Sequence, residues 1–146
     1  MIPKNEKIKY IKIKMSKNKN TLQDTFSKAF VSYKKKDFKT AELICYKILS
    51  IDPNHFDSFT LLATLAALEG NFNKAKDLLL KALKIEPNNP TVLNNLGTAY
   101  IELGNLTEAK KIFEKTSKEN PKHTNSNFNL GLVFYKMKDL KNAKNI

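Results

Sequence analysis

Residues 96–109, LGTAYIELGNLTEA, decide the fold because a helical pattern in them is followed by a sharp break. Apolar and small residues recur at helical spacing up to Tyr100, and the Gly104-Asn105 pair then interrupts them. A glycine in a helix interior lowers helix stability by roughly 1 kcal/mol relative to alanine, so the presence of Gly97 requires a structural explanation. We expect Gly97 and Ala109 to be small where two antiparallel helices cross, and Gly104 to take the left-handed conformation that ends the first helix.

The same pattern returns along the chain every 34 residues. Residues of one type or class recur at that spacing in several independent columns. The period marks a repeat array in which each unit is a helix, a tight turn and a second helix closed by proline. The columns are Ala41, Ala75, Ala109 and Ala143; Pro53, Pro87 and Pro121; Phe38, Phe72, Leu106 and Leu140; and Asp37, Asn71 and Asn105.

These columns resemble the tetratricopeptide repeat (TPR) family, whose 34-residue pattern has Leu-Gly, an aromatic residue, two alanines and a proline at fixed positions. Residues 90–123 match with Leu96-Gly97, Tyr100, Ala109 and Phe113, and residues 56–89 match with Ala66 as the weak position. The resemblance implies an all-α fold, a right-handed α-solenoid of about three and a half antiparallel helix pairs. Its predicted parts are a basic, disordered leader over 1–21, then units over 22–55 (degenerate), 56–89, 90–123 and 124–146 (truncated).

The two ends of the array differ. Polar residues stand at apolar positions of the first helix in the first unit, as suits an end that faces water: Thr25, Lys28 and Ser32. At the other end, Leu140, Ala143 and Ile146 are expected to begin a second helix that the sequence does not complete, which leaves an apolar edge. Either the sequence is a fragment of a longer array, or a partner or a second copy covers the edge.

Composition excludes several classes of protein. The sequence has no apolar run near 18 residues and no continuous apolar stretch of a signal peptide, so a cytoplasmic location is expected. Its single cysteine, Cys45, stands in the column of Leu79 and Phe113 and is predicted to be a small buried hydrophobe in a reducing compartment.

The net charge of +12 comes from 26 basic residues that are all lysine. Arginine, the residue best suited to phosphate and base edges, is absent, so no specific nucleic acid is expected as a partner. Seven lysines lie in residues 1–21, and in the repeats they fall mainly outside the first helices. The lysines of the leader leave open attachment to an acidic partner or membrane surface, or docking of the leader in the protein's own groove.

Catalytic and metal-binding patterns are missing from the sequence. The four glycines follow the repeat and form no phosphate loop, and no Cys, His or carboxylate spacing fits a metal. His55 with Asp52 and Asp57 could be imagined as a catalytic pair, but no nucleophile or enclosing pocket accompanies them. The sequence therefore predicts no cofactor and no enzyme.

The family resemblance implies that the first helices line a concave groove that binds a peptide or protein partner. Asn95 and Asn129 would bond a peptide backbone, and Phe30 and Leu132 would supply apolar contact. The lysines of the family's clamp for chaperone tails are missing, which disfavours that partner. We expect an interaction adaptor or scaffold, with self-assembly through the C-terminal edge (a homo-oligomer) or lysine-driven binding of an anionic surface as alternatives. The predicted groove residues are Phe26, Phe30, Tyr33, Thr60, Thr64, Asn94, Asn95, Thr98, Phe128, Asn129, Leu132 and Tyr135.

Overall fold

A computed structural model describes residues 4–122 and 124–144 and shows seven α-helices, with no strand in those ranges. The all-α prediction is confirmed. By the density of internal contacts the chain divides into two compact units, Met1–Ser58 and Phe59–Ile146. The helices are α1 (Lys4–Lys34), α2 (Phe38–Ile51), α3 (Phe56–Leu68), α4 (Phe72–Ile85), α5 (Pro90–Glu102), α6 (Leu106–Glu119) and α7 (Thr124–Lys144).

Three tight turns share one hydrogen-bonded design. Lys36, Gly70 and Gly104 have φ of 63°, 74° and 75°, which is the left-handed conformation expected at the end of a helix. The next residue closes the turn with a backbone bond five residues back, as in Asn105 N–H to the Tyr100 carbonyl at 2.8 Å. The equivalent bonds are Asp37 to Ser32 at 2.9 Å and Asn71 to Ala66 at 2.8 Å.

The closing residue of two of these turns also caps the next helix. The side chain of Asp37 accepts from Thr40 N–H, and that of Asn71 accepts from Lys74 N–H. Hydrogen bonds from the side chain and backbone of Thr40 hold the pKa of Asp37 below its ordinary value. The residue that closes the turn also starts the next helix, which explains why three residues suffice to join the two helices of a repeat.

The turns that precede α3 and α5 also place a capping residue at one repeat position. Asn89 accepts from Val92 N–H at 3.1 Å, and His55 accepts through Nδ1 from Ser58 N–H at 3.2 Å. The hydroxyl of Ser58 lies 2.9 Å from the same Nδ1. His55 is therefore part of a helix cap, and His123, the next residue in this column, lies outside the described residues.

The core of the unit Phe59–Ile146 is built where α5 packs against α4, α6 and α7. Phe113 and Val133 are fully buried at its centre, with Ile101, Leu106 and Ala109 around them. Gly97 lies beside Phe113, because a β-carbon on this glycine would lie 2.8 Å from two carbons of the ring. The small residue expected at the helix crossing is therefore needed, and an aromatic ring fills the space.

The N-terminal helix differs from the expected leader. α1 begins at Lys4 and runs without interruption to Lys34, so residues 4–21 are helical where the sequence predicted a disordered leader over 1–21. The physical reason is local, because this stretch contains neither glycine nor proline and is rich in lysine, a good helix former. The side chains of Ile8, Ile11 and Met15 lie outside the described part of the chain.

The C-terminal helix also corrects an expectation. α7 is one continuous helix to Lys144, and no second helix starts at Leu140; Ile146 lies outside the described residues. Lys138 occupies the column of Lys36 and Gly104, where the left-handed conformation costs a non-glycine residue about 1–2 kcal/mol. At Lys36 the turn lets the 14-residue α2 pack against α1. After Lys138 the described chain stays in α7 to Lys144, so no packed second helix offsets that cost there.

Candidate functional site

A cleft of about 240 Å³ opens in the unit Phe59–Ile146, between α3, α4 and α5. Its floor is apolar, and its rim carries the side chains of Thr64, Asn95 and Thr98, three of the residues predicted to line the groove. Small residues create the space, since Ala63 and Ala67 stand on consecutive turns of α3. The remaining lining residues are Leu68, Phe72, Ala75, Leu79 and Ala99.

Two threonine hydroxyls at the rim already donate hydrogen bonds to backbone carbonyls of their own helices. Thr64 Oγ1 donates to the Thr60 carbonyl and Thr98 Oγ1 donates to the Asn94 carbonyl, each at 3.0 Å. A hydroxyl has a single hydrogen, so each of these oxygens can only accept a further hydrogen bond. No lining residue of the cleft carries a formal charge.

Asn95 and Asn129, the two asparagines predicted to bond a peptide backbone, differ in their hydrogen bonding. Asn129 Nδ2 donates to Asn94 Oδ1 at 3.0 Å, which links α7 to α5 through two partly buried amides. Asn95 is exposed, lines the cleft, and makes no side-chain hydrogen bond within the described part of the chain. Of the two residues expected to bond a peptide backbone, Asn95 is the one whose donors and acceptor are all available.

The remaining predicted groove residues of this unit lie mainly on α7. Phe128 is 72% exposed and Tyr135 is 66% exposed, whereas Leu132 is half-buried and packs against the core around Phe113. Thr60 on α3 is half-buried, and its carbonyl accepts from Thr64. The structure thus places Leu132 in a packing role and leaves the two aromatic rings accessible.

The three predicted residues of the unit Met1–Ser58 form aromatic contacts within it. The ring centroids of Phe30 and Tyr33 are 6.0 Å apart, and Tyr33 is equally close to Phe38. Phe26 lies 5.6 Å from the ring of His55. Phe30 is 42% exposed and carries Lys34 Nζ 4.9 Å above its ring, so it is the most accessible of the three.

Cys45 is fully buried and unoxidised. Burial raises the pKa of its thiol to about 11; a hydrogen bond with Ser58 opposes this shift, and the charge of Glu42 adds to it. A thiol with this pKa is protonated at neutral pH and a poor nucleophile. The prediction of a small buried hydrophobe at this position is confirmed.

Two other kinds of site are absent from the described residues. No group of three or more histidine, cysteine or carboxylate side chains there could hold a metal ion. No helix in the same ranges is long and apolar enough to cross a membrane.

Comparison with known proteins finds a family match for the middle of the chain. A family model described as tetratricopeptide repeat matches residues 66–129, which include most residues of the cleft and of the core of the unit Phe59–Ile146. Residues 66–129 thus match the tetratricopeptide repeat family, and structures of tetratricopeptide repeat domains share the fold. The search of curated proteins gave no match.

Solved structures of other TPR-like chains share the fold. The first TPR of Spaghetti (RPAP3), bound to the HSP90 peptide SRMEEVD, is 19% identical with a TM-score of 0.75, over 80% of this chain and 93% of that one. The Yersinia enterocolitica secretion chaperone SycD, in complex with a peptide of the translocator YopD, is 16% identical with a TM-score of 0.73, over 81% and 95%.

A third neighbour is much longer. The K341M mutant of Thermobaculum terrenum O-GlcNAc transferase is 22% identical with a TM-score of 0.70, and 78% of this chain aligns with 22% of that chain. The chain therefore spans under a quarter of that transferase, and the likeness concerns the fold alone.

The floor of the cleft is the part of the site that sequence reasoning missed. The repeat pattern identifies Phe72 as a column residue, but it does not show that Phe72, Ala63 and Ala67 together leave space between three helices. A signal was present, since the segment from Ala63 to Ala67 is unusually poor in bulky side chains for this pattern. Three alanines in five residues mark a helix face with room beside it.

Proposed function

We propose that this TPR protein is an interaction adaptor that binds an extended segment of a partner protein at the α3–α4–α5 cleft. The observation that carries the proposal is the pairing of an apolar cleft with Asn95, an exposed amide that has no partner in the described chain. An apolar pocket can hold one side chain of the segment, while the amide bonds its backbone in both directions. Two structural neighbours were solved with bound peptides, which supports this type of ligand.

The test uses a displayed library of random peptides as the probe. We expect the wild-type protein to select peptides, and Ala67→Phe to lose them because the added ring fills the cleft. Thr107→Phe is the matched control, since it adds the same ring to an exposed site on α6 that does not line the cleft. Selection that survives Ala67→Phe, in a variant with unchanged helicity, would contradict the proposal.

A second candidate is self-association through α7. Phe128 and Tyr135 are exposed, and Leu140 is 53% exposed beside a further cavity lined by Ile101 and Leu106. Exposed apolar area of this kind often marks an interface. Sedimentation equilibrium over a range of concentrations would detect it, and Leu140→Lys should then restore a monomer. A wild-type protein that stays monomeric throughout would exclude this candidate.

A further inference from the structure

The hydrogen-bonding character of the cleft limits what it can bind. Thr64 and Thr98 have used their hydroxyl hydrogens on the carbonyls of Thr60 and Asn94, so both side chains offer only acceptors. Asn95 is the only lining side chain with a free donor, and that donor is neutral. The rim therefore suits a ligand that donates hydrogen bonds.

The electrostatics of the cleft favour an uncharged ligand, although the protein is strongly basic. The net charge of the chain is +12, but none of the cleft's lining residues is a lysine. An anion that enters an apolar site without a cation or several donors loses hydration that nothing replaces. The lysines of the chain can attract an acidic partner at long range, but within the cleft no cation could stabilise a carboxylate.

The size of the cleft fits one apolar side chain. A volume of about 240 Å³ exceeds the ~150 Å³ in which an apolar cavity binds benzene, so a leucine or phenylalanine side chain can enter. The floor offers Phe72, Leu79 and four alanines as contact surface. A side chain buried there removes apolar area from water, which is the main source of affinity at such a site.

We infer that the cleft selects an uncharged aliphatic or aromatic side chain flanked by N–H donors, and that it rejects a carboxylate. The inference rests on the proposed function and names the chemistry of its ligand. The preferred partner segment is an internal stretch of chain with an apolar anchor, whose backbone N–H groups reach the oxygens of Thr64, Thr98 and Asn95. A chain end held by its terminal carboxylate does not fit.

The experiment compares two probes, N-acetyl-L-leucinamide and N-acetyl-L-leucine. They differ only in that the first ends in a neutral amide and the second in a carboxylate. Each is titrated into ¹⁵N-labelled full-length protein, and the shifts of the Asn95 side-chain amide and of the backbone amides of Thr64 and Thr98 are followed. We expect the amide to bind and the acid to bind at least about tenfold more weakly. Repeating the titrations at about 1 M salt, where the Debye length is about 3 Å, removes the long-range attraction of the lysines.

Variants locate the binding. Ala67→Phe should abolish the shifts caused by the amide, whereas the Thr107→Phe control should keep them. The inference is overturned if the acid binds as well as the amide at high salt, if neither probe binds, or if Ala67→Phe changes nothing. The proposed function is judged separately, because peptides selected from the library and lost in Ala67→Phe would support it even if their anchor proved acidic.

Discussion

The ring of Phe113 occupies the space above Gly97, where a β-carbon would approach two ring carbons to 2.8 Å. Glycine's lower helix propensity is thus offset by the burial of a complete aromatic side chain at the crossing of α5 and α6. In the two earlier repeats the residue at the position of Gly97 is larger, and the residue at the position of Phe113 is smaller. Those pairs are Ala63 with Leu79 and Ala29 with Cys45, all fully or almost fully buried.

Gly97→Ala is the direct test of this contact. Overpacking typically costs about 1–3 kcal/mol, and the better helix propensity of alanine returns up to about 1 kcal/mol. We therefore expect a net loss in the free energy of unfolding, measured by urea denaturation. Gly131→Ala is the matched control, because in the described structure a β-carbon on this glycine of α7 would meet no atom within 4 Å outside its own helix backbone, and the substitution should be neutral or stabilising. Equal effects at the two sites would show that the ring can move aside.

The left-handed turn residues allow a second comparison. Gly104 has φ of 75° and Lys36 has φ of 63°, so one repeat accepts a lysine where another has glycine. We expect Gly104→Ala to lower the free energy of unfolding by about 1–2 kcal/mol, because a β-carbon strains this conformation. Lys36→Gly removes that strain and should be neutral or stabilising. Thermal and urea unfolding of the two variants would measure the effects, and a stabilising Gly104→Ala would contradict the strain argument.

The features that the sequence predicted correctly are those set by local chemistry. The turn at Gly104-Asn105 depends on a few neighbouring residues, and so does the helical spacing on either side. The outcome at Lys138 shows the limit of such reasoning. Its neighbourhood resembles that of Lys36, yet α7 continues, because a turn forms only when the helix beyond it gains enough packing to offset the strain.

Features that depend on the distance between helices were beyond the sequence. The bond between Asn94 and Asn129 joins residues 35 positions apart, and their separation follows from how α5 and α7 pack. The cleft likewise depends on what α3, α4 and α5 jointly leave unfilled. The repeat pattern identified Thr64, Asn95 and Thr98 as groove residues, but it could not show that the hydroxyls donate to their own helices.

The buried thiol of Cys45 predicts a pH dependence of stability. Its pKa is raised from the ordinary 9.0 to about 11 in the folded chain, so the unfolded chain releases the proton first as pH rises. The stability contributed by the neutral thiol is complete below about pH 9 and is lost progressively between about pH 9 and 11. Near pH 10 the loss should reach about 1.4 kcal/mol relative to pH 8.

Cys45→Ala provides the reference for this measurement, since the lysines titrate in the same range in both proteins. The difference in the free energy of unfolding between wild type and variant should fall as pH rises from 8 to 10. A thiol-reactive dye should also label native wild type far more slowly than unfolded protein. A difference that is constant with pH, or rapid labelling of the native state, would show that the thiol is accessible.

The unequal roles of the asparagines provide the last prediction. Asn129→Ala removes the donor to Asn94 and leaves a partly buried amide without its partner, which should lower the free energy of unfolding by about 1 kcal/mol. Asn95→Ala removes an exposed side chain with no internal bond, so stability should change by less than about 0.5 kcal/mol. Peptide affinity should respond in the opposite order, falling more for Asn95→Ala than for Asn129→Ala. Urea denaturation and fluorescence anisotropy with a library-selected peptide would measure both properties, and a stronger loss of affinity in Asn129→Ala would restore the original expectation that both amides contact the ligand.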